Sequence, residues 1–163
     1  MATPDFIDKN AFDSILSLLE NAEERNDDEL AYMKKTHNRV VDTSSVIHIK
    51  NNKSIHYSNR NTELYNQLQG LFGNPDLVLD CFYRFRYSVG DWARTHFDSY
   101  SEQTSIALLS DNFTGGVFTL DYKQLSFDKK GMFVSFGSTQ RHSVSQVLTG
   151  HRDVLVMLFQ NKE

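Results

Sequence analysis

Residues 104–120 read Thr104-Ser105-Ile106-Ala107-Leu108-Leu109-Ser110-Asp111-Asn112-Phe113-Thr114-Gly115-Gly116-Val117-Phe118-Thr119-Leu120. Apolar and β-branched residues gather in two short runs, 104–110 and 116–120, on either side of a polar, glycine-bearing turn. Runs of this length bounded by Asp, Asn and Gly read as strands. Working outward, the same pattern recurs at 77–87, 131–136, 142–148 and 153–159. Gly90-Asp91, Asp128-Lys129-Lys130-Gly131, Gly137-Ser138 and Gly150 separate those runs. Regularly spaced short strands argue for a β-sandwich or barrel, and against parallel strands alternating with helices.

The first 75 residues differ. Phe12, Ile15, Leu16, Leu18 and Leu19 recur at helical spacing between Asp8 and Arg25, with Asp8 and Asp13 near the start where the helix dipole favours acids. Asn26-Asp27-Asp28 breaks this helix, and Asp27 or Asp28 caps a second short one running through Lys35. Val46, Ile47 and Ile49, then Ile55 and Tyr57, flank Asn51-Asn52-Lys53 and predict a hairpin over 45–57. A further helix is expected over 61–72, with Leu64, Leu68, Leu71 and Phe72 buried, ended by Gly73-Asn74-Pro75. The chain of 163 residues is expected to be one mostly β domain, with supporting helices and hairpin over 1–75 and a jelly-roll-type core over 76–160.

Composition narrows the function. Hydrophobic residues make up 39 % and charged residues 23 %, as in ordinary globular proteins. The net charge is -4 and no basic patch stands out, which counts against a nucleic-acid partner. No run reaches the roughly 18 apolar residues that span a bilayer, and residues 1–5 lack the basic and apolar parts of a signal peptide. A cytoplasmic location without membrane contact is the expectation. The single cysteine, Cys81, lies in an apolar run and reads as a buried structural thiol.

Chemistry concentrates in Tyr87-Ser88-Val89-Gly90-Asp91-Trp92-Ala93-Arg94-Thr95-His96-Phe97-Asp98. On an extended strand, residues two apart share a face, so the His96 imidazole and the Asp98 carboxylate can converge on one metal. His142, on a later run, is the candidate third ligand. Two histidines and one carboxylate on one face of an octahedron leave positions open, which suits iron(II) in an oxygenase. Taken alone, a His-x-Asp triplet is weak, because the chain has six histidines and 21 acidic residues.

The residues around the triplet add weight. Arg86-Tyr87-Ser88-Val89-Gly90-Asp91 leads into it. Thr114-Gly115-Gly116-Val117-Phe118 forms a Gly-Gly turn. Gly131-Met132-Phe133-Val134-Ser135-Phe136 precedes His142-Ser143-Val144, and Val147-Leu148-Thr149-Gly150-His151-Arg152 closes the series. In order and spacing these resemble the prolyl 4-hydroxylase-like branch of the 2-oxoglutarate/Fe(II)-dependent oxygenase superfamily, over about 79–159.

The resemblance implies a double-stranded β-helix core. It implies a metal centre of His96, Asp98 and His142, with Arg152 anchoring the far carboxylate of 2-oxoglutarate and Tyr87 donating a hydroxyl to it. It implies Fe(II), 2-oxoglutarate and O2 as cofactor and cosubstrates, ascorbate as a supporting reductant, and hydroxylation of an unactivated C–H with release of succinate and CO2. A prolyl residue of a protein or peptide is the first expectation for the substrate. Two departures stand out. The strand 104–110 lacks the tyrosine that many relatives place there, leaving Thr104 or Ser110 to substitute. Leu158 stands where the nucleic-acid demethylases carry a second arginine.

Arg84, Trp92, Arg94, Arg141 and the segment 99–104 are candidates for substrate contact, with Arg94 expected on the face of His96. His151, next to Arg152, is expected to face away, and His37, His48 and His56 to be structural or exposed. A small-molecule oxygenase, a metal protein of cupin type without 2-oxoglutarate, and a non-enzymatic β-sandwich binding domain remain open.

Overall fold

The computed structural model describes residues 2–20, 47–48, 55–57, 62–98 and 101–162. In chain order the elements are β1 (Asp5–Phe6), α1 (Lys9–Glu20), β2 (Ile47–His48), β3 (Ile55–Tyr57), α2 (Glu63–Phe72), β4 (Leu77–Tyr87), β5 (Trp92–His96), β6 (Gln103–Leu108), β7 (Phe113–Gly115), β8 (Phe118–Leu120), β9 (Lys123–Gln124), β10 (Met132–Gly137), β11 (His142–Val144), β12 (Val147–Gly150) and β13 (Arg152–Asn161).

The strands pair antiparallel throughout. A major sheet has the order β1-β10-β6-β13-β4-β3, a minor sheet the order β2-β5-β11-β8-β9, and β12 pairs with β7. This is the jelly-roll, or double-stranded β-helix, core with helices placed before it.

One apolar cluster lies between the sheets: Ile106 and Leu108 of β6, Phe118 and Leu120 of β8, Val134 and Phe136 of β10, and Val154, Val156 and Leu158 of β13. A second covers the other face of the major sheet. There Phe12, Ile15 and Leu19 of α1 and Leu64, Tyr65, Leu68 and Phe72 of α2 pack on Leu155, Met157 and Phe159. Strand β13 is therefore buried on both faces, which is why 154–159 reads as an unbroken apolar run while β10 alternates.

The helices carry the caps their sequences specify. Asp8 Oδ2 accepts from the Ala11 N–H at 3.2 Å, and Thr62 Oγ1 accepts from the Tyr65 N–H at 3.1 Å. Cys81 is buried in the inter-sheet cluster, as expected.

Three expectations change. Leu71 is exposed, and Tyr65 takes a buried place in α2, its hydroxyl donating to the Leu79 carbonyl at 2.6 Å. Leu71 lies at the edge of the stripe formed by 64, 65, 68 and 72, in the last turn of the helix. The strands of the expected hairpin do not pair with each other. Ile47–His48 extends the minor sheet beside β5, and Ile55–Tyr57 extends the major sheet beside β4. Each finds an open edge on a longer strand, which satisfies its backbone as well as a hairpin partner would. The run 142–148 divides into β11 and β12, which belong to different sheets. Ser145, between them, donates its N–H to the Val117 carbonyl. The expected helix over 27–35, and the end of α1 beyond Glu20, lie outside the described residues.

Candidate metal centre

His96 ends β5 and His142 begins β11, and the two are directly opposed Cα partners in the minor sheet. The next registered pair is Val144 with Ala93, so β5 uses three steps where β11 uses two. That is a β-bulge. It turns Ala93 and His96 to the same inner side and leaves Arg94 and Thr95 exposed. Arg94 therefore does not share the face of His96, contrary to the alternation of a regular strand.

The bulge also places a backbone acceptor for the ring. The Arg94 carbonyl lies 2.7 Å from His96 Nδ1, and the Gln140 carbonyl 3.2 Å from His142 Nδ1. A carbonyl only accepts, so Nδ1 is the donor on both rings, which leaves Nε2 as the nitrogen free to ligate. Those Nε2 atoms face Asp98: His96 Nε2 is 3.5 Å from Oδ1, and His142 Nε2 is 3.4 Å from Oδ2. The three ligating atoms lie within 4.8 Å of one another. Burial holds the His142 pKa below its ordinary value, against the opposing pull of Asp98, so the ring is neutral at physiological pH. The donor set of two imidazoles and one carboxylate suits a divalent transition metal such as iron(II). Among the described residues, His96, Asp98 and His142 form the one cluster of this kind.

Asp98 is 4 % exposed and lies just beyond β5. Thr104 Oγ1 donates to its Oδ2 at 2.8 Å. Ser110 instead donates to the His151 carbonyl and accepts from the Asp153 N–H. Neither Thr104 nor Ser110 lines the cavity beside the triad, so neither stands in for the absent tyrosine.

That cavity runs from His96, Asp98 and His142 to Tyr87 and Arg152, between walls that include Ile106, Phe118, Val154 and Val156. Arg152 opens β13 directly opposite Tyr87, the last residue of β4. Its guanidinium is 1 % exposed and lies 5.3 Å from the Tyr87 ring centre and 5.9 Å from that of Phe127. Its Nε and Nη2 atoms are buried without a hydrogen-bond partner among the described residues. Asp153 does not serve it: pointing to the opposite face, that carboxylate takes a two-pronged bond from Arg86 at 2.7 and 3.0 Å. An uncompensated buried guanidinium is costly, and a carboxylate is the group that matches its planar fork. Burial lifts the Tyr87 pKa to about 12, so its phenol stays protonated and able to donate. The residues present therefore fit both a divalent metal at one end of the cavity and a dicarboxylate reaching toward the other.

Among its polar lining, the cavity gains Tyr83, to which the sequence reading assigned no site role. It stands four residues before Tyr87 on β4, hence on the same face. That spacing was visible but submerged in an apolar run. Other candidates fall outside the cavity. Arg84 lies on the opposite face of β4 from Tyr83 and Tyr87. Trp92 and Arg141 are exposed, and Arg141 stacks on the Phe97 ring at 5.1 Å. Ser101 and Thr104 are buried, while residues 99 and 100 lie outside the described residues. His151 sits 3.8 Å from Asp153, away from the triad. His37 lies outside the described residues, and His48 and His56 occupy β2 and β3.

No family model and no curated protein sequence matches the chain. Solved structures do. A prolyl-4-hydroxylase from Pseudomonas putida is similar at a TM-score of 0.63 and 10 % identity, covering 99 % of this chain and 93 % of that one. The viral collagen prolyl hydroxylase of Paramecium Bursaria Chlorella virus-1, solved with 2-oxoglutarate, is similar at 0.59 and 12 % identity, covering 99 % and 96 %. A 2-oxoglutarate-Fe(II) oxygenase family protein from Burkholderia pseudomallei matches at 0.50 and 18 % identity over 62 % of this chain, which spans about half (52 %) of that structure. At these identities the likeness is one of fold: the chain has the double-stranded β-helix architecture of the solved 2-oxoglutarate/iron(II) oxygenases, prolyl hydroxylases among them.

Proposed function

We propose that this chain is an iron(II)- and 2-oxoglutarate-dependent dioxygenase that hydroxylates an unactivated C–H, its substrate a prolyl residue of a protein or peptide. The carrying observation is Arg152. A buried cation with two orphaned donors shares one cavity with a His-Asp-His cluster. A metal-binding protein without a dicarboxylate cosubstrate has no use for that arginine. The prolyl assignment rests on the likeness in fold to two prolyl hydroxylases across nearly the whole chain.

When bound, the metal and 2-oxoglutarate supply the oxygen chemistry, and the cosubstrate leaves as succinate and CO2. The chain's own residues do the rest. His96, Asp98 and His142 hold the metal and leave positions free. Arg152 and the Tyr87 hydroxyl orient the far carboxylate. Ile106, Phe118, Val154 and Val156 keep water from the cavity and strengthen each polar contact within it.

The test is succinate formation from 2-oxoglutarate with iron(II) and ascorbate. His96→Ala, Asp98→Ala and His142→Ala should each abolish it. Arg152→Met should raise the 2-oxoglutarate KM roughly 100-fold, from about 3 kcal/mol of lost charge-assisted hydrogen bonding, with metal affinity nearly unchanged. Wild-type succinate formation by all three triad variants would sink the assignment. A mass gain of one oxygen on proline-containing peptides supports the substrate class, and a gain on free proline or lysine instead makes the enzyme one of small molecules.

A further inference from the structure

Asp98 is a loop residue, yet a metal ligand must be held in place. His96 and His142 are fixed by ladder bonds in the minor sheet, whereas Asp98 lies just past the end of β5. A side-chain bond from the other sheet holds its carboxylate. Thr104 is the second residue of β6, in the interior of the major sheet, and is 0 % exposed. It faces inward with Ile106 and Leu108, both members of the inter-sheet apolar cluster. A hydroxyl at such a position needs a partner, and the Asp98 carboxylate is that partner, at 2.8 Å.

Proton accounting extends the chain by one link. Thr104 has a single hydroxyl proton and gives it to Asp98 Oδ2. Ser101 Oγ lies 3.0 Å from Thr104 Oγ1 and 3.4 Å from the Asp98 carbonyl; its one proton goes to the shorter contact, so there Ser101 is the donor. Ser101 is itself 3 % exposed, and its backbone N–H donates to the Asp98 carbonyl at 3.2 Å. The result is a directed chain, Ser101 to Thr104 to Asp98, in which each donor polarises the next.

We propose that Thr104, backed by Ser101, is a positioning residue for the metal: its hydroxyl locks the Asp98 carboxylate in the orientation that meets both histidine Nε2 atoms, and so sets metal affinity. The inference rests on the metal-centre reading above, and it gives Thr104 a role other than cosubstrate contact.

The experiment titrates metal-free protein with Co(II), an air-stable probe of the iron site, by calorimetry. Removing a hydrogen-bond partner of a ligand typically costs 10–100-fold in metal affinity. Thr104→Val, which keeps the shape and deletes the hydroxyl, should lose about that much. Thr104→Ser, which keeps the donor, should stay within about threefold of wild type, and Ser101→Ala should lose less than Thr104→Val. A thermal scan of each metal-free variant separates misfolding from loss of positioning, since Thr104→Ser restores affinity only if the hydroxyl is what matters. Wild-type Co(II) affinity in both Thr104→Val and Ser101→Ala overturns the proposal, as does equal weakening in Thr104→Val and Thr104→Ser. His96→Ala is the control for the underlying reading. If it too binds Co(II) like wild type, the metal centre itself is wrong; if it loses Co(II) while Thr104→Val does not, only the positioning role fails.

Discussion

The charge on Arg152 is held where water cannot reach it. Burial lowers its pKa to about 10, opposed by the neighbouring Tyr87. At neutral pH the side chain is a cation in both the folded and unfolded chain. Because the folded pKa is the lower one, the cost of burial is fully present below about pH 10 and is relieved only as pH rises beyond it. The ligand-free protein thus carries a destabilising group in its cavity. Arg152→Met should raise the stability of the ligand-free protein by about 1–3 kcal/mol, read as a higher urea midpoint, since apolar groups commonly outdo buried charges. Wild type should gain further on adding 2-oxoglutarate, and the variant should not. A variant less stable than wild type would mean that the guanidinium already has its partner. Gly116 bears on the same side chain. Its φ is +59°, and an added Cβ would lie 3.1 Å from Arg152 Cδ and 3.3 Å from Val147 Cγ2. Gly116→Ala should therefore raise the 2-oxoglutarate KM while sparing metal affinity; a change in metal affinity alone would contradict this.

At the scale of elements, the helices and the site act on opposite faces of the major sheet. Leu68 of α2 is 0 % exposed and packs in the cluster that covers Leu155 and Met157. Leu68→Ala should cost about 2–5 kcal/mol in chemical unfolding. Co(II) affinity of the folded protein should hardly move, and a tenfold loss would show that the helices shape the site. The same division explains what could be read in advance. Residues 77–87 were legible to the residue because inner Tyr83 and Tyr87 and outer Phe82 are large, and inner Cys81 is apolar. The candidate site residues were legible only together: His96-x-Asp98 alone is weak, and His142, ten residues before Arg152, gave it context. The partners of 47–48 and 55–57 were not, because edge pairing is decided by strands distant in sequence. The bulge in β5 was hidden too: nothing in Trp92-Ala93-Arg94-Thr95-His96 marks the residue that breaks alternation. Its consequence was the misplacement of Arg94.

At the scale of the molecule, the candidate metal centre is a joint between sheets. His96 and His142 belong to the minor sheet, and Asp98 is bonded to Thr104 of the major one. Metal should therefore stabilise the whole fold: Co(II) at 100 times its Kd adds about 2.7 kcal/mol, which a chelator reverses. The pH dependence has a definite sign. His142 has a folded pKa below 6.5, because burial disfavours its charged form. Between that pKa and 6.5 the unfolded chain binds a proton that the folded chain refuses. The stability this contributes is present above pH 6.5 and is lost as pH falls through the window. Metal steepens the loss, since protons compete for the same nitrogens. Urea midpoints of metal-free and Co(II)-bound protein at pH 7.5, 6.5 and 5.5 (set points of about one unit that bracket the ordinary histidine pKa) should fall in that order, faster with Co(II). Carboxylates contribute to any acid destabilisation, so the diagnostic quantity is the difference between wild type and His142→Ala. In the variant both the histidine part of the slope and its enhancement by Co(II) should vanish. An unchanged slope in His142→Ala would place the titrating group, and with it the joint between the sheets, elsewhere in the fold.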